Sequence, residues 1–188
     1  MNLIIDIGNT NAKIAIFDHD NIVEADTIKT SNIIEGINKF TQKYKAVNRA
    51  IISNVSVSNN HEIKEHLNLQ SIYFLSENLK LPFKNLYKSK GTLGSDRIAL
   101  ASAVTKHYPN SNVLVIDAGT CITMDFIDKN GNYHGGSISP GIDMRYSSLN
   151  NYTSNLPELE KNYPSDIIGS STEDSIHSGI VNGVVFEI

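Results

Sequence analysis

The sequence predicts an α/β fold built from two related lobes. Apolar segments with strand and helix periodicity alternate along the chain. One pattern also occurs twice: LIIDIGNTNAKIAIFD at 3–18 and VLVIDAGTCITMDFID at 113–128. Each copy has an apolar strand, Asp-x-Gly, a threonine, a second apolar strand and a closing aspartate. Asp6 matches Asp117, Gly8 matches Gly119, Thr10 matches Thr120 and Asp18 matches Asp128. The turn of the second copy is one residue shorter. Each copy opens a three-strand meander, so the repeat implies two similar lobes, at 1–111 and 112–188.

The elements follow in order. Strands are expected at 2–7, 12–18 and 22–28, with turns at Gly8-Asn9 and at 18–21. Asn32 can cap a helix reaching about Tyr44, with Ile33, Ile34, Ile37 and Phe40 on its apolar side. A short buried strand is read at 50–53, a helix capped by Ser58 with Ile63 and Leu67, and a strand at 72–75. Residues 78–93 read as irregular, and a helix follows from Asp96 to His107, ending before Pro109. In the second copy, Asn130-Gly131 signals a hairpin into a strand at 133–139. Pro140-Gly141 ends that strand before a helix. From Thr172 the last helix stripes Ile176, Ile180, Val184 and Ile188, with Gly179 and Gly183 available for close packing.

Composition bounds the function. The chain has 188 residues, of which 40% are hydrophobic and 19% charged, a globular balance with ample length for a core. A net charge of −4 gives no nucleic-acid surface, and the lysines at 84, 88 and 90 read as a solvated face. One cysteine, Cys121, excludes an intrachain disulfide framework and suits a reducing cytoplasm; it reads as a buried structural thiol. The N-terminus reads as a strand rather than a signal peptide, and no apolar run approaches a membrane span. The expectation is a cytoplasmic protein with no membrane partner.

The first turn alone admits two readings. Gly8-Asn9 suits a plain hairpin, since both residues tolerate positive φ. Asp6 at the strand end, with Thr10 and Lys13 just beyond, also suits a metal-bound phosphate. Duplication adds to the second reading. If the lobes face each other, two polar turns would offer backbone amides, hydroxyls and carboxylates to one phosphate chain and its cation.

Five stretches in order, DIGNTNAK at 6–13, GSDR at 94–97, DAGTCIT at 117–123, GGSISPG at 135–141 and SSTEDSIHSG at 170–179, resemble type III pantothenate kinase. That family lies within the superfamily of actin, sugar kinases and heat-shock ATPases. The resemblance covers nearly the whole chain. It implies two lobes of the ribonuclease-H-like, actin-like ATPase type, and phosphorylation of pantothenate by ATP to 4'-phosphopantothenate, the entry step to coenzyme A.

It also implies roles. Asp6, Ile7, Gly8, Asn9, Thr10, Asn11, Ala12 and Lys13 would form the ATP phosphate loop, with Asp6 near a divalent cation, Mg2+, and Thr120 on the phosphates. Asp96 would be the general base. Gly94, Ser95, Asp96 and Arg97 would contact pantothenate, Arg97 at its carboxylate, with Tyr87 and Thr172 as further contacts. Asp117 would hold a monovalent cation, K+ or NH4+. The working unit would be a homodimer whose partner helps enclose the pantothenate.

Read without the resemblance, Asp96-Arg97 is a helix-start acid beside a surface basic residue, and Tyr87 is ordinary surface or core. Ser170 to Glu173 is a good helix N-terminus with no ligand. His134 and Asp143 need only a turn and a helix start. The resemblance leads one to expect further elements after Ile188, among them a glycine-rich turn near the adenine, so lobe two reads as cut short at its C-terminus. Two rivals stand beside the kinase reading: a kinase for another small hydroxy acid, and a non-catalytic nucleotide-binding regulator on the same fold.

Overall fold

The computed structural model describes residues 1–89 and 91–188; Lys90, one of the lysines read as a solvated face, lies outside the described residues. The chain divides into two compact units. The first comprises Met1–Val113 with Phe126–Gly135, the second Leu114–Asp125 with Gly136–Ile188.

The first unit is organised by a five-stranded sheet in the order β3-β2-β1-β4-β5. Strands β1 (Asn2–Ile7), β2 (Asn11–Asp18) and β3 (Asn21–Lys29) form the predicted antiparallel meander. Strand β4 (Arg49–Asn54) runs parallel to β1, and β5 (Ser71–Phe74) parallel to β4. Parallel neighbours need crossover connections; these contain α1 (Ile33–Lys43) and α2 (Asn60–Glu65).

Period-two alternation sends Leu3, Ile5 and Ile7 into one core with Ile14, Ile16 and Ile52. Helix α1 covers it with the residues expected, Ile33, Ile37 and Phe40 buried and Ile34 partly so. Each fully buried side chain of this size contributes about 1.5–3 kcal/mol relative to exposure. Asp6 alternates with the core set and stays partly exposed.

One predicted cap makes no side-chain bond and another shifts by a residue. Asn32 precedes α1 but closes a short 3-10 turn over Thr30–Asn32, and its side chain makes no capping bond. Helix α2 is capped by Asn59 rather than Ser58; the Asn59 side-chain oxygen accepts the His61 N–H at 2.8 Å. The segment 78–93 is not wholly irregular either, since β6 (Lys84–Asn85) pairs in parallel with β9 (Asn132–Pro140). Helix α3 (Ser95–His107) stops before Pro109, as expected.

Strands β7 (Val113–Ala118), β8 (Cys121–Ile127) and β9 join β6 in a four-stranded sheet ordered β6-β9-β8-β7. The Asn130-Gly131 hairpin forms with Gly131 at φ +73°. Asp128 fixes it by accepting from the Asn130 and Asn132 backbone N–H groups at 2.9 and 3.0 Å, with the His134 Nε2 at 2.9 Å from its other oxygen. His134, then Asn132, hold the Asp128 carboxyl well below the usual carboxylate range. Both residues serve the turn. Cys121 is partly buried rather than buried.

In the second unit, α4 (Ile142–Tyr152) and α5 (Thr172–Glu187) pack through Tyr146, Ile176 and Ile180, with Ile142, Leu149, Leu156 and Leu159 around them. Asp143, at the start of α4, pairs with Lys161 at 2.9 Å. Two expectations for α5 fail. Ile188 is exposed, unlike Ile176, Ile180 and Val184. A Cβ added at Gly179 would meet nothing within 4 Å and one at Gly183 only the Arg145 guanidinium at 4.0 Å, so neither glycine serves close packing within this chain.

Candidate active site

In the first unit, the register places Lys13, Asp6 and Ser53 side by side across β2, β1 and β4. The turn after β1 is tightly bonded. The Gly8 N–H donates to the Asn11 carbonyl at 3.0 Å, and the Thr30 N–H and hydroxyl donate to the Thr10 and Gly8 carbonyls at 3.1 and 2.8 Å. Val55 N–H donates to the Ile7 carbonyl at 3.0 Å. Ile7 and Ala12 are buried, so they can offer a ligand only backbone groups. Asn9, Thr10, Asn11 and Lys13 are exposed, and their side chains can reach one.

The GSDR motif starts α3 at the end of β4. Ser95 is buried; its Oγ lies 3.1 Å from the Ser53 Oγ and accepts the Asn54 N–H at 3.0 Å. Two hydroxyls and a strand-end amide thus anchor the helix start beside the Asp6 row. Asp96, one residue further, is partly exposed, and its Oδ1 accepts the Arg97 N–H at 2.8 Å. Arg97 is 5% exposed, so the surface-residue reading fails. Its guanidinium carbon lies 5.6 Å from the Tyr87 ring centroid, a cation–π geometry.

Tyr87 in turn meets Tyr133, with Phe83 on Tyr133's other contact, at centroid distances of 6.2 and 5.6 Å. Gly135, at φ +97°, lies under Tyr87: a Cβ there would stand 3.1 Å from the ring. The first glycine of GGSISPG and the predicted Tyr87 contact are therefore one packing unit. A cavity of about 660 Å³ opens here, lined by Asn54, Glu77, Asn85, Tyr87, Gly94 and Ser95 among others.

In the second unit, the Gly119 N–H donates to the Cys121 carbonyl at 2.9 Å, a turn one residue tighter than Gly8 to Asn11, as the repeat predicted. The Gly141 N–H donates to the Thr120 carbonyl at 3.0 Å, and a side chain at Gly141 would strike the Gly119 and Thr120 carbonyls. DAGTCIT and the end of GGSISPG are thereby joined. Asp117 and Thr120 are exposed. Thr172 is the first residue of α5, but Ser171 is the cap: its Oγ accepts the Asp174 N–H at 3.0 Å. Thr172 lines, with Arg145, Ser171 and Ser175, a cavity of about 870 Å³.

Three residues escaped the sequence reading. Thr30 holds the first turn, Glu77 gathers the segment before GSDR, and Asp125 is a fully buried acid on β8. No local motif marks any of them. Among the described residues no cluster of three or more His, Cys, Asp and Glu is present. Asp6 nonetheless fits a divalent ion that travels with a nucleotide, because such ions need only one or two carboxylates beside the phosphates.

The fold is that of the actin-like ATPases and sugar kinases. A Sinorhizobium meliloti protein assigned as a 2-dehydro-3-deoxygalactonokinase matches it with a TM-score of 0.58 over 99% of this chain and 80% of its own, at 10% identity. Within that class the sequence specifies one group. The sequence model of type III pantothenate kinase matches residues 2–188, and the chain belongs to that family. The type III pantothenate kinase of Flavobacterium johnsoniae is 40% identical over 188 residues, all of this chain and 77% of the relative. A Campylobacter jejuni protein assigned to the Baf family of transcriptional activators aligns with a TM-score of 0.63 at 27% identity, over 98% of this chain and 76% of its own.

Proposed function

We propose that this chain transfers the γ-phosphoryl group of ATP to the primary hydroxyl of pantothenate, giving 4'-phosphopantothenate, the first step of coenzyme A biosynthesis. The observation that carries the reading is the buried Arg97 against Tyr87, one residue from Asp96. A planar guanidinium suits a carboxylate, which it can hold through two parallel hydrogen bonds. Gly94, Ser95 and Thr172 complete the acid's contacts.

Asp96 takes the proton of the pantothenate hydroxyl as its oxygen bonds to the γ-phosphorus. The bridging oxygen–phosphorus bond breaks and ADP leaves. Residues 6–13 and Thr120 orient the phosphates, and Lys13 offsets their charge. A divalent ion, Mg2+, held by Asp6 and the nucleotide supplies further charge neutralisation when bound. Asp117 holds a monovalent ion, K+ or NH4+. The lobes at 1–111 and 112–188 each contribute one turn with Asp-x-Gly and a threonine. The proposed compartment is the cytoplasm, where ATP and the coenzyme A precursors meet. No helix among the described residues is long and apolar enough to cross a membrane.

The test is phosphate transfer from ATP to a panel of small hydroxy acids, with and without K+ or NH4+. Pantothenate turnover supports the reading. Turnover of a different acid points to the neighbouring kinase. Nucleotide binding without transfer points to a regulator, the alternative that the Baf assignment of the Campylobacter jejuni relative favours. Asp117→Asn is expected to weaken the response to K+ more than it raises the KM for pantothenate. Activity indifferent to monovalent ions would remove that role.

The active species is a homodimer with C2 symmetry, formed through the surface of α4 and α5. Light scattering across a concentration series is expected to give twice the chain mass under assay conditions. An active monomer would rule out a shared pantothenate enclosure.

A further inference from the structure

Glu77 is not part of any motif, yet its carboxylate accepts three hydrogen bonds from the segment that carries Tyr87 and leads into GSDR. Oε1 accepts the Gly91 and Leu93 backbone N–H groups at 3.0 and 3.2 Å. Oε2 accepts the Asn85 Nδ2 at 3.0 Å. Asn85 is itself a relay, because its Oδ1 accepts the Tyr87 N–H at 2.8 Å. Tyr87 then carries its ring to the Arg97 guanidinium and to Gly135. Leu93 is buried immediately before Gly94.

We infer that Glu77 is a positioning residue for acceptor binding: it clasps the segment between Asn85 and Leu93, and through Asn85 sets where Tyr87 stands against Arg97. The inference rests on the reading of Tyr87 and Arg97 as pantothenate contacts. A carboxylate suits the post because its three hydrogen-bond partners are all donors. Two backbone amides and one side-chain amide need an acceptor on both oxygens, and only an ionised acid offers that without a competing N–H.

The polarity of the relay makes the role separable from simple stability. Glu77→Gln keeps shape and size but sets an NH2 against one set of donors. If the new amide faces Asn85, Asn85 must flip to meet it and then releases the Tyr87 N–H. If it faces Gly91 and Leu93, both of those bonds are lost. Either way the clasp opens on one side. Adding Asn85→Asp restores the pattern with its charge moved. One oxygen of the carboxylate then at position 85 accepts from the side-chain amide at position 77, and the other accepts the Tyr87 N–H.

The experiment compares wild type, Glu77→Gln and the Glu77→Gln/Asn85→Asp double variant by steady-state kinetics and by amide hydrogen exchange without substrate. The single variant is expected to raise the pantothenate KM by about 5- to 30-fold, the scale of one or two lost hydrogen bonds. The KM for ATP should stay within about twofold, and exchange should accelerate at 85–89 and 91–93. The double variant should reverse both changes. Unchanged KM and exchange in Glu77→Gln, or a double variant that fails to recover them, would overturn the inference. If the single variant is too unstable to assay, the double variant decides alone by the same criteria. Should wild type fail to phosphorylate pantothenate, the proposed function falls, while the exchange comparison still decides the clasp.

Discussion

Asp96→Asn is expected to lower kcat by about 10²–10⁴ while the KM for pantothenate changes little. Asparagine keeps an oxygen where the Asp96 Oδ1 accepts the Arg97 N–H, so the first turn of α3 retains its bond. Ser95 still ties that turn to Ser53 and Asn54. What the amide cannot do is take a proton. The loss therefore falls on the transition state, equivalent to about 2.7–5.5 kcal/mol of barrier. Steady-state kinetics at saturating ATP measure it. A variant with near-normal kcat would show that the hydroxyl proton leaves by another route, and Asp96 would lose its role.

Gly136→Ala is expected to be the most destabilising single methyl in the GGSISPG stretch. A Cβ at Gly136 would overlap the Met124 carbonyl group and crowd the Asp125 Cα. These are backbone atoms of the neighbouring strand β8, so no rotamer change relieves the contact. The cost should reach about 3 kcal/mol, the upper end of overpacking penalties. For a chain of this size that lowers Tm by about 6–12 °C. Gly179→Ala is the control, since Gly179 faces open space on a helix. There the added methyl should leave Tm unchanged or raise it by up to about 2–4 °C, the equivalent of about 1 kcal/mol of helix propensity. Thermal unfolding of both variants checks the pair; a Gly136→Ala protein as stable as wild type would mean the strands can part freely.

The readable parts of the molecule are those whose signals are local. Asp-x-Gly and a threonine after an apolar strand marked both turns, even the one-residue difference between them, because a turn is decided by the few residues inside it. Helical periodicity likewise picked out the apolar stripe of α1. Caps slipped where two equivalent residues adjoin: Ser58 and Asn59 are both good caps, and the chain's path chooses Asn59. The proposed site residues were flagged by the order of their motifs along the chain rather than by their chemistry. Arg97 reads as an ordinary surface cation until the fold buries it beside Tyr87. Glu77 had no such cue, because its partners are amides 14 and 16 residues away and an amide eight away. The glycines of α5 misled for the same reason. Gly spacing on a helix face says that packing is permitted, and only the tertiary arrangement says whether a neighbour is there.

Phosphorus NMR of the reaction with pantothenate tests the account most directly. With ATP, Mg2+, K+ and pantothenate, one new phosphomonoester resonance, coupled to the protons of the carbon bearing the primary hydroxyl, should grow in step with ADP. Loss of that resonance in Asp96→Asn, with ATP left intact, would complete the expected result. ADP accumulating with inorganic phosphate and no ester would contradict it, as would ATP that binds and remains unchanged.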